Sequence, residues 1–339
     1  MAEALAVKYR PQTLETIIGQ DSVSNILKRQ AETNTFKNCY LFCGPSGCGK
    51  TTTARAFSRL LNGTLNGIIE IDAASNNGVD AMRNIVSLAT ERAIGAEYKV
   101  FIVDECHVLS NQAWQALLKT LEEPPKYTIF MLCTTNPEKI PATILNRVQR
   151  FNLQRISRDK IKARLIYICE QEHYTNYESA CDYISKISNG QMRDAITYLD
   201  KCATYSTDLN MNNVMFCLGD YSYDTLFNLV NSIVDRNESE ILKIVNDFYY
   251  DGKDLKLFIS SLLDFVLDIN KYCLFHSFDI IQLPPTVEDK LNYCCNFDNA
   301  AQYYNYYVNK LADLKIRIKD DISPKSTIEV GLLQMSRML

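Results

Sequence analysis

Eight consecutive residues constrain this chain more than any other feature: Gly44, Pro45, Ser46, Gly47, Cys48, Gly49, Lys50 and Thr51 read G-x-x-x-x-G-K-T. That pattern has a physical use only where a strand hands over to a helix. The glycines let backbone N–H groups curl around a phosphate, and the helix N-terminus adds partial positive charge. Both flanks are right: an apolar run at 39–43 precedes the loop and a helical pattern at 51–62 follows it. Lys50 would then reach the β- and γ-phosphates of a nucleoside triphosphate, with Thr52 in the same helical turn, while the Thr51 hydroxyl would complete a Mg²⁺ shell.

A loop of this kind needs a parallel sheet around it, and the first 150 residues supply one. Short β-rich apolar runs at 39–43, 68–72, 100–104 and 129–134, with a weaker one at 149–153, alternate with helical patterns at 51–62, 78–93 and 111–122. The first four runs read as strands buried on both faces, and the spacing predicts an α/β fold with right-handed crossovers. From 157 the period changes. Apolar residues recur at helical spacing in 161–173, 179–188, 192–205, 223–234, 239–249 and 255–274, with breaks near Asn189-Gly190, Leu218-Gly219 and Pro284-Pro285. The remaining half is therefore expected to be all-helical.

The run 100–104 ends in two carboxylates, Asp104 and Glu105, 54 residues after Lys50. Hydrolysis of a nucleoside triphosphate needs such a pair, one acid holding Mg²⁺ through water and the other polarising the attacking water. Asp104 and Glu105 suit those parts. With Cys106 and His107 they also spell the D-E-x-H box of nucleic-acid helicases, but a helicase needs a second α/β half, for which 157–339 shows no comparable strands.

Composition narrows the setting. At 47% apolar and 22% charged the chain is globular, and at 339 residues it should hold two or three domains. Its longest uncharged stretch, 106–118, is thirteen residues and partly polar, too short for a membrane span. The N-terminus carries Glu3 and no apolar signal segment. Twelve cysteines lie scattered without a C-x-x-C pair, which reads as reduced thiols in a cytoplasmic protein, bacterial or in a virus-infected host. Residues 1–219 carry 24 basic and 22 acidic side chains, a net +2, and residues 220–339 carry 12 and 18, a net −6. Any nucleic-acid contact must then come from a few placed cations, since bulk charge would not supply it.

Several segments together resemble one family. They are Val7-Lys8-Tyr9-Arg10-Pro11-Gln12-Thr13-Leu14, Ile18-Gly19-Gln20, the phosphate loop, Glu70-Ile71-Asp72-Ala73-Ala74-Ser75, and Leu117-Leu118-Lys119-Thr120-Leu121-Glu122-Glu123-Pro124-Pro125. They are similar to the AAA+ clamp loaders, and within these to the gamma/tau subunits of bacterial DNA polymerase III. The resemblance implies an AAA+ core at 1–153, a helical lid at 154–219, and a helical collar at 220–339 that joins subunits into a ring of about five. It implies an ATPase with ATP and Mg²⁺ as cofactors, and a sliding clamp, other loader subunits and primer–template DNA as partners. Another DNA-remodelling AAA+ motor, or a scaffold subunit that binds nucleotide without hydrolysing it, are the alternatives.

The same resemblance assigns residues. Val7, Tyr9, Arg10, Pro11 and Ile18 would line the adenine pocket between the N-terminal arm and the lid. Thr135 falls at the position that senses the γ-phosphate, and Arg193 at the lid's second sensor. Arg147, within Asn146-Arg147-Val148 where the family has Ser-Arg-Cys, would act in trans on a neighbouring subunit's ATP. Lys50, Glu105 and Arg147 are thus the expected catalytic groups, with Thr51 and Asp104 on Mg²⁺. Arg83, with Asn77 and Gly78 at the start of its helix, would meet DNA phosphates. Arg150, Arg155, Arg158, Lys160, Lys162 and Arg164 read as a lid and interface face. The family's four-cysteine zinc insert is missing from the short connection 62–67, so no zinc is expected, and the likeness does not extend to the tau form's extension. Cys43, Cys48 and Cys106 read as structural.

Overall fold

The computed structural model describes residues 3–218, 223–281, 283 and 287–337, with the side chains of 212 and 216 left aside. The chain divides into two compact units, Met1–Leu209 and Asn210–Leu339.

The first unit is built on five parallel strands: β1 (Cys39–Cys43), β2 (Ile68–Asp72), β3 (Lys99–Asp104), β4 (Thr128–Thr134) and β5 (Gln149–Asn152), in the spatial order β2-β3-β4-β1-β5. The helices of this core are α1 (Leu5–Lys8), α2 (Asp21–Glu32), α3 (Lys50–Asn62), α4 (Val79–Ala89), α5 (Asn111–Glu122) and α6 (Ala142–Leu145). Alternation along the strands divides the core into two layers. Leu41, Phe101, Val103, Phe130 and Leu132 face one way and pack with Met82, Ile85, Trp114 and Leu117 from α4 and α5. Tyr40, Phe42, Ile102, Met131 and Cys133 face the other way, against Leu27 of α2 and Ala54 and Phe57 of α3. Every residue of β1 and β4 is buried, as central strands of a parallel sheet require.

Two elements depart from the sequence reading. Strand β2 is not buried on both faces; it is an edge strand, half-exposed along its length, with Glu70 and Asp72 in its outer positions. Edge placement is a property of strand order, which a five-residue pattern does not contain. Helix α4 ends at Ala89, four residues short of 93. There the Thr90 hydroxyl turns back to the Ser87 carbonyl at 2.7 Å, and beyond it Ile94 is 94% exposed.

Helices α7 (Arg158–Gln171), α8 (Glu178–Ile187) and α9 (Met192–Tyr205) complete the first unit, the last two separated by Asn189 and Gly190, both at positive φ. The second unit is helical throughout its described residues: α10 (Met211–Leu218), α11 (Tyr223–Val234), α12 (Glu238–Tyr250), α13 (Leu255–Phe275), α14 (Glu288–Cys295), α15 (Ala300–Arg317) and α16 (Pro324–Arg337). It has its own core, in which Phe258, Leu262 and Ile269 of α13 pack with Tyr304, Tyr307 and Leu311 of α15. The breaks expected at Gly219 and at Pro284-Pro285 lie outside the described residues.

One cysteine reading is corrected. Cys273 of α13 and Cys295 of α14 form a disulfide, while the other ten cysteines are not disulfide-bonded. Packing of α14 back on α13 brings the two to a Cα separation of 5.3 Å across 22 residues, a proximity their spacing does not reveal. Among the described residues, no helix is long and apolar enough to cross a membrane.

Candidate nucleotide-binding site

Parallel strands present their C-terminal ends on one edge, and the candidate residues gather there. β1 ends at Cys43, in register with Thr134 of β4 and Asn152 of β5, and Asp104 of β3 lies opposite Asp72 of β2. The phosphate loop leaves β1 at Gly44, whose N–H donates to the Thr134 carbonyl (3.2 Å), and enters α3 through Gly49 at φ +101°. Gly44 is forced by space as well as conformation, because a Cβ there would lie 2.5 Å from the Leu153 carbonyl oxygen.

Lys50 is buried, and its ammonium donates to the carbonyls of Gly44 (3.1 Å) and Pro45 (3.0 Å). Those weak neutral partners leave it ready to take an anion instead. The Thr51 hydroxyl donates to the Asp104 carboxylate at 2.8 Å. Hydroxyl and carboxylate oxygens side by side at a helix start are the hard donors Mg²⁺ prefers, so the residues fit that ion. Among the described residues, no three His, Cys, Asp or Glu side chains gather into a metal cluster.

Glu105 leaves β3 at φ +45°, a left-handed conformation costing about 1 kcal/mol for a residue with a side chain. One of its oxygens, Oε2, accepts from the Thr135 hydroxyl (3.0 Å) and N–H (3.3 Å). The pair expected to activate water and to sense the γ-phosphate are therefore bonded to each other. Burial raises the thiols of Cys43, Cys48 and Cys106, keeping them from being nucleophiles.

The helices beyond β5 reach this loop directly. Met192 N–H donates to the Gly47 carbonyl (3.1 Å), and the Gln191 amide, with its nitrogen turned toward the loop, donates to the Ser46 carbonyl (3.1 Å). Arg193 stands exposed at the start of α9, one residue on. Gln20, buried, closes the third side: its Nε2 donates to the carbonyls of Cys48 (3.2 Å) and Gln154 (2.8 Å), and its Oε1 accepts from Gln154 N–H (3.2 Å).

The N-terminal arm is held by the helical part and not by the sheet. Leu5 N–H donates to Asp200 of α9 (3.1 Å), and Glu172 accepts from Lys8 (2.6 Å) and from the Tyr9 hydroxyl. Burial, and then Glu172, push the Tyr9 phenol up to about 12. Its ring meets Tyr167 edge-on at 6.3 Å, and Arg164 donates to its carbonyl (2.8 Å). Arg10, half-buried, pairs with no carboxylate among the described residues; burial, then repulsion from Arg55 and Arg193, lowers its pKa. With Arg55 already paired to Glu70, the like charges of Arg10 and Arg193 favour a bound polyanion. Pro11 and Ile18 are partly buried and Val7 is 54% exposed.

Other predicted residues lie apart from this edge or are already engaged. Arg147, after α6, pairs with Glu122 (2.6 Å) and donates to the Thr143 carbonyl. Arg83 is exposed on α4 and pairs with Asp80 at 3.2 Å, while Asn77 and Gly78 are exposed before that helix. Of the second basic group, Arg158 and Lys162 meet Asp182 (2.7 and 3.0 Å), Lys160 meets Asp21 (2.7 Å), Arg150 meets Asn152 (2.9 Å) and Arg155 the Asn189 carbonyl. The sequence reading gave no site role to Glu172, Gln191 or Glu122, although Glu122 lies in one of the segments that carry the resemblance. Gln191 carried a signal, being two residues from Arg193; for Glu172 there was none.

A five-stranded parallel sheet with a phosphate loop on its carboxyl edge, Asp104 and Glu105 beside it, and a helical segment laid on the loop defines an AAA+ nucleotide-binding fold. Solved structures agree: Thermotoga maritima RuvB, a Holliday junction branch migration motor, matches at TM-score 0.52 over 68% of this chain and 80% of RuvB, at 20% identity. Sequence relatives carry the reading further. The chain is 36% identical over 292 residues to the Bacillus subtilis DNA polymerase III subunit tau, covering 80% of this chain and 52% of that protein. It is 30% identical over 305 residues to the Escherichia coli subunit tau, covering 84% and 46%. The family described as DNA polymerase III, delta subunit, matches residues 66–157. The chain is a relative of the DNA polymerase III gamma/tau subunits, and spans about half the length of the curated relatives it matches.

Proposed function

We propose that the chain is an ATP-hydrolysing subunit of a sliding-clamp loader. One observation carries this reading: Thr51–Asp104 and Glu105–Thr135 meet as two bonded pairs on the sheet edge beside Lys50, in a chain related to polymerase III tau subunits. Lys50 and the loop amides hold the β- and γ-phosphates, and Arg10 and Arg193 approach from the arm and from α9. Bound Mg²⁺, held through Thr51 and Asp104, would neutralise phosphate charge. Glu105 accepts the proton of the attacking water, with Thr135 reading whether a γ-phosphate is present. Arg147 serves a neighbouring subunit, exchanging Glu122 for that subunit's phosphate. Val7, Tyr9, Pro11 and Ile18 enclose the base. Residues 154–219 act as the lid and 220–339 as the collar of a ring of about five subunits. Arg83, Asn77 and Gly78 line the path of primer–template DNA, and the purified protein carries no zinc.

The test is Glu105→Gln in the assembled loader. ATP binding and capture of the clamp should persist while turnover falls by more than about a hundredfold. Turnover within about twofold of wild type removes Glu105 from this role, and failure of the assembly to co-purify with a sliding clamp removes the loader.

A further inference from the structure

We infer that His107 is a positioning residue for Glu105, fixing the carboxylate at the place where it takes the water proton. The inference deepens the hydrolysis reading above and rests on it. After Glu105 the chain makes a single tight helical turn, Cys106–Val108, closed by Val108 N–H to the Glu105 carbonyl (3.1 Å). That turn swings the imidazole back over the strand ends. Its Nδ1 lies 3.3 Å from Glu105 Oε2 and is hydrogen-bonded to the Thr134 hydroxyl at 3.2 Å. The Thr134 oxygen also accepts from Asn136 N–H (3.0 Å), capping the turn that carries Thr135. Thr135 gives two bonds to the same Oε2.

His107 thus braces both halves of the Glu105–Thr135 pair: the carboxylate directly, and the threonine through the end of β4. When Nδ1 carries the ring hydrogen, it presents that hydrogen between two acceptors, Oε2 of Glu105 at 3.3 Å and the Thr134 oxygen at 3.2 Å. Oxygen Oε2, with two bonds from Thr135 and the His107 ring nitrogen 3.3 Å away, is committed to the protein. Oε1 has no bond to another described residue. The carboxyl is therefore oriented with one oxygen anchored and the other free, as a general base requires. The His107 side chain is only 11% exposed, which shields the brace from water, whereas that of Glu105 is 34% exposed, which leaves it open to water.

The test uses the full chain assembled with its partner subunits, with ATP as substrate and Mg²⁺ present. His107→Ala should lower kcat about tenfold, in keeping with the cost of misplacing a reacting group by part of an ångström, and leave KM within about twofold. His107→Asn puts an N–H near the Nδ1 position and should recover most of that loss. His107→Gln, whose amide reaches past Thr134, and His107→Leu, which fills the space without a donor, should not. Adding His107→Ala to Glu105→Gln should cost nothing further, since the histidine acts only through the glutamate. Wild-type kcat in His107→Leu, a change confined to KM, or a further loss in the double variant would each overturn the positioning role. Undiminished turnover in Glu105→Gln would instead overturn the reading beneath it.

Discussion

Gly47→Ala tests whether the helical segment sits on the phosphate loop before nucleotide arrives. Gly47 is at φ +68°, and a Cβ there would lie 2.9 Å from Gln191 Cβ, 3.4 Å from Gln191 Cα and 3.6 Å from Arg193 Cβ. Two costs follow. The left-handed backbone alone costs an alanine about 1 kcal/mol. The contact with Gln191 adds about 1–2 kcal/mol, whether the protein keeps it as overpacking or lifts the start of α9 and loses the Met192–Gly47 and Gln191–Ser46 bonds. Gly63 provides the control, since it lies at φ +64° and a Cβ added there would meet nothing within 4 Å. Gly63→Ala should therefore lose only the backbone part. For a unit of about 200 residues, 1 kcal/mol lowers Tm by about 2–4 °C, so losses of about 4–12 °C for Gly47→Ala and about 2–4 °C for Gly63→Ala are expected. The single tryptophan, Trp114, is buried in α5 and reports on the first unit alone, which makes its fluorescence the right probe of melting. If α9 is displaced, Arg193 moves with it, and losing a charge-assisted bond of about 1.5–3 kcal/mol should weaken ATP by about 10- to 150-fold. Equal melting shifts for the two variants, together with ATP affinity within about twofold of wild type, would refute the contact.

Arg147→Ala should leave ATP binding by the isolated chain unchanged and reduce hydrolysis in the assembled loader by about a thousandfold, read from steady-state rates with and without partner subunits; equal loss in both settings would exclude a role in trans. Arg83→Ala should lower the slope of log affinity against log salt for primer–template DNA by about 1, equally for different sequences, and an unchanged slope would return Arg83 to its pairing with Asp80. Asp182 tests the electrostatics of α7 and α8: burial alone would raise its pKa, but bonds from Arg158 and Lys162 and the charge of Lys186 outweigh it and hold the group at about 2. A depressed carboxyl contributes stability above its ordinary pKa of 3.8 and loses it as pH falls toward 2, so Asp182→Asn should cost roughly 1–2 kcal/mol at pH 7 after solvent screening and flatten the acid limb of the melting curve over that window.

What was legible in the sequence was what is local in the chain. The phosphate loop, the acidic end of β3 and the strand–helix alternation each occupy a short continuous stretch, and the pleat and the helical turn translate such stretches into structure directly. Lys50, Thr51, Asp104 and Glu105 could be named because the ends of parallel strands must share one edge of the sheet. Packing decided the rest. The exposure of β2 follows from a strand order that no single strand encodes, and the Cys273–Cys295 bond follows from α14 folding back on α13. Tyr9 finds Glu172 across 163 residues, Gln20 finds Gln154 across 134, and Thr135 finds Glu105 across 30. Such pairings depend on the distances between side chains once the sheet has formed. Glu172 or His107 could satisfy many partners, and only the packed fold brings each within reach of the one it holds.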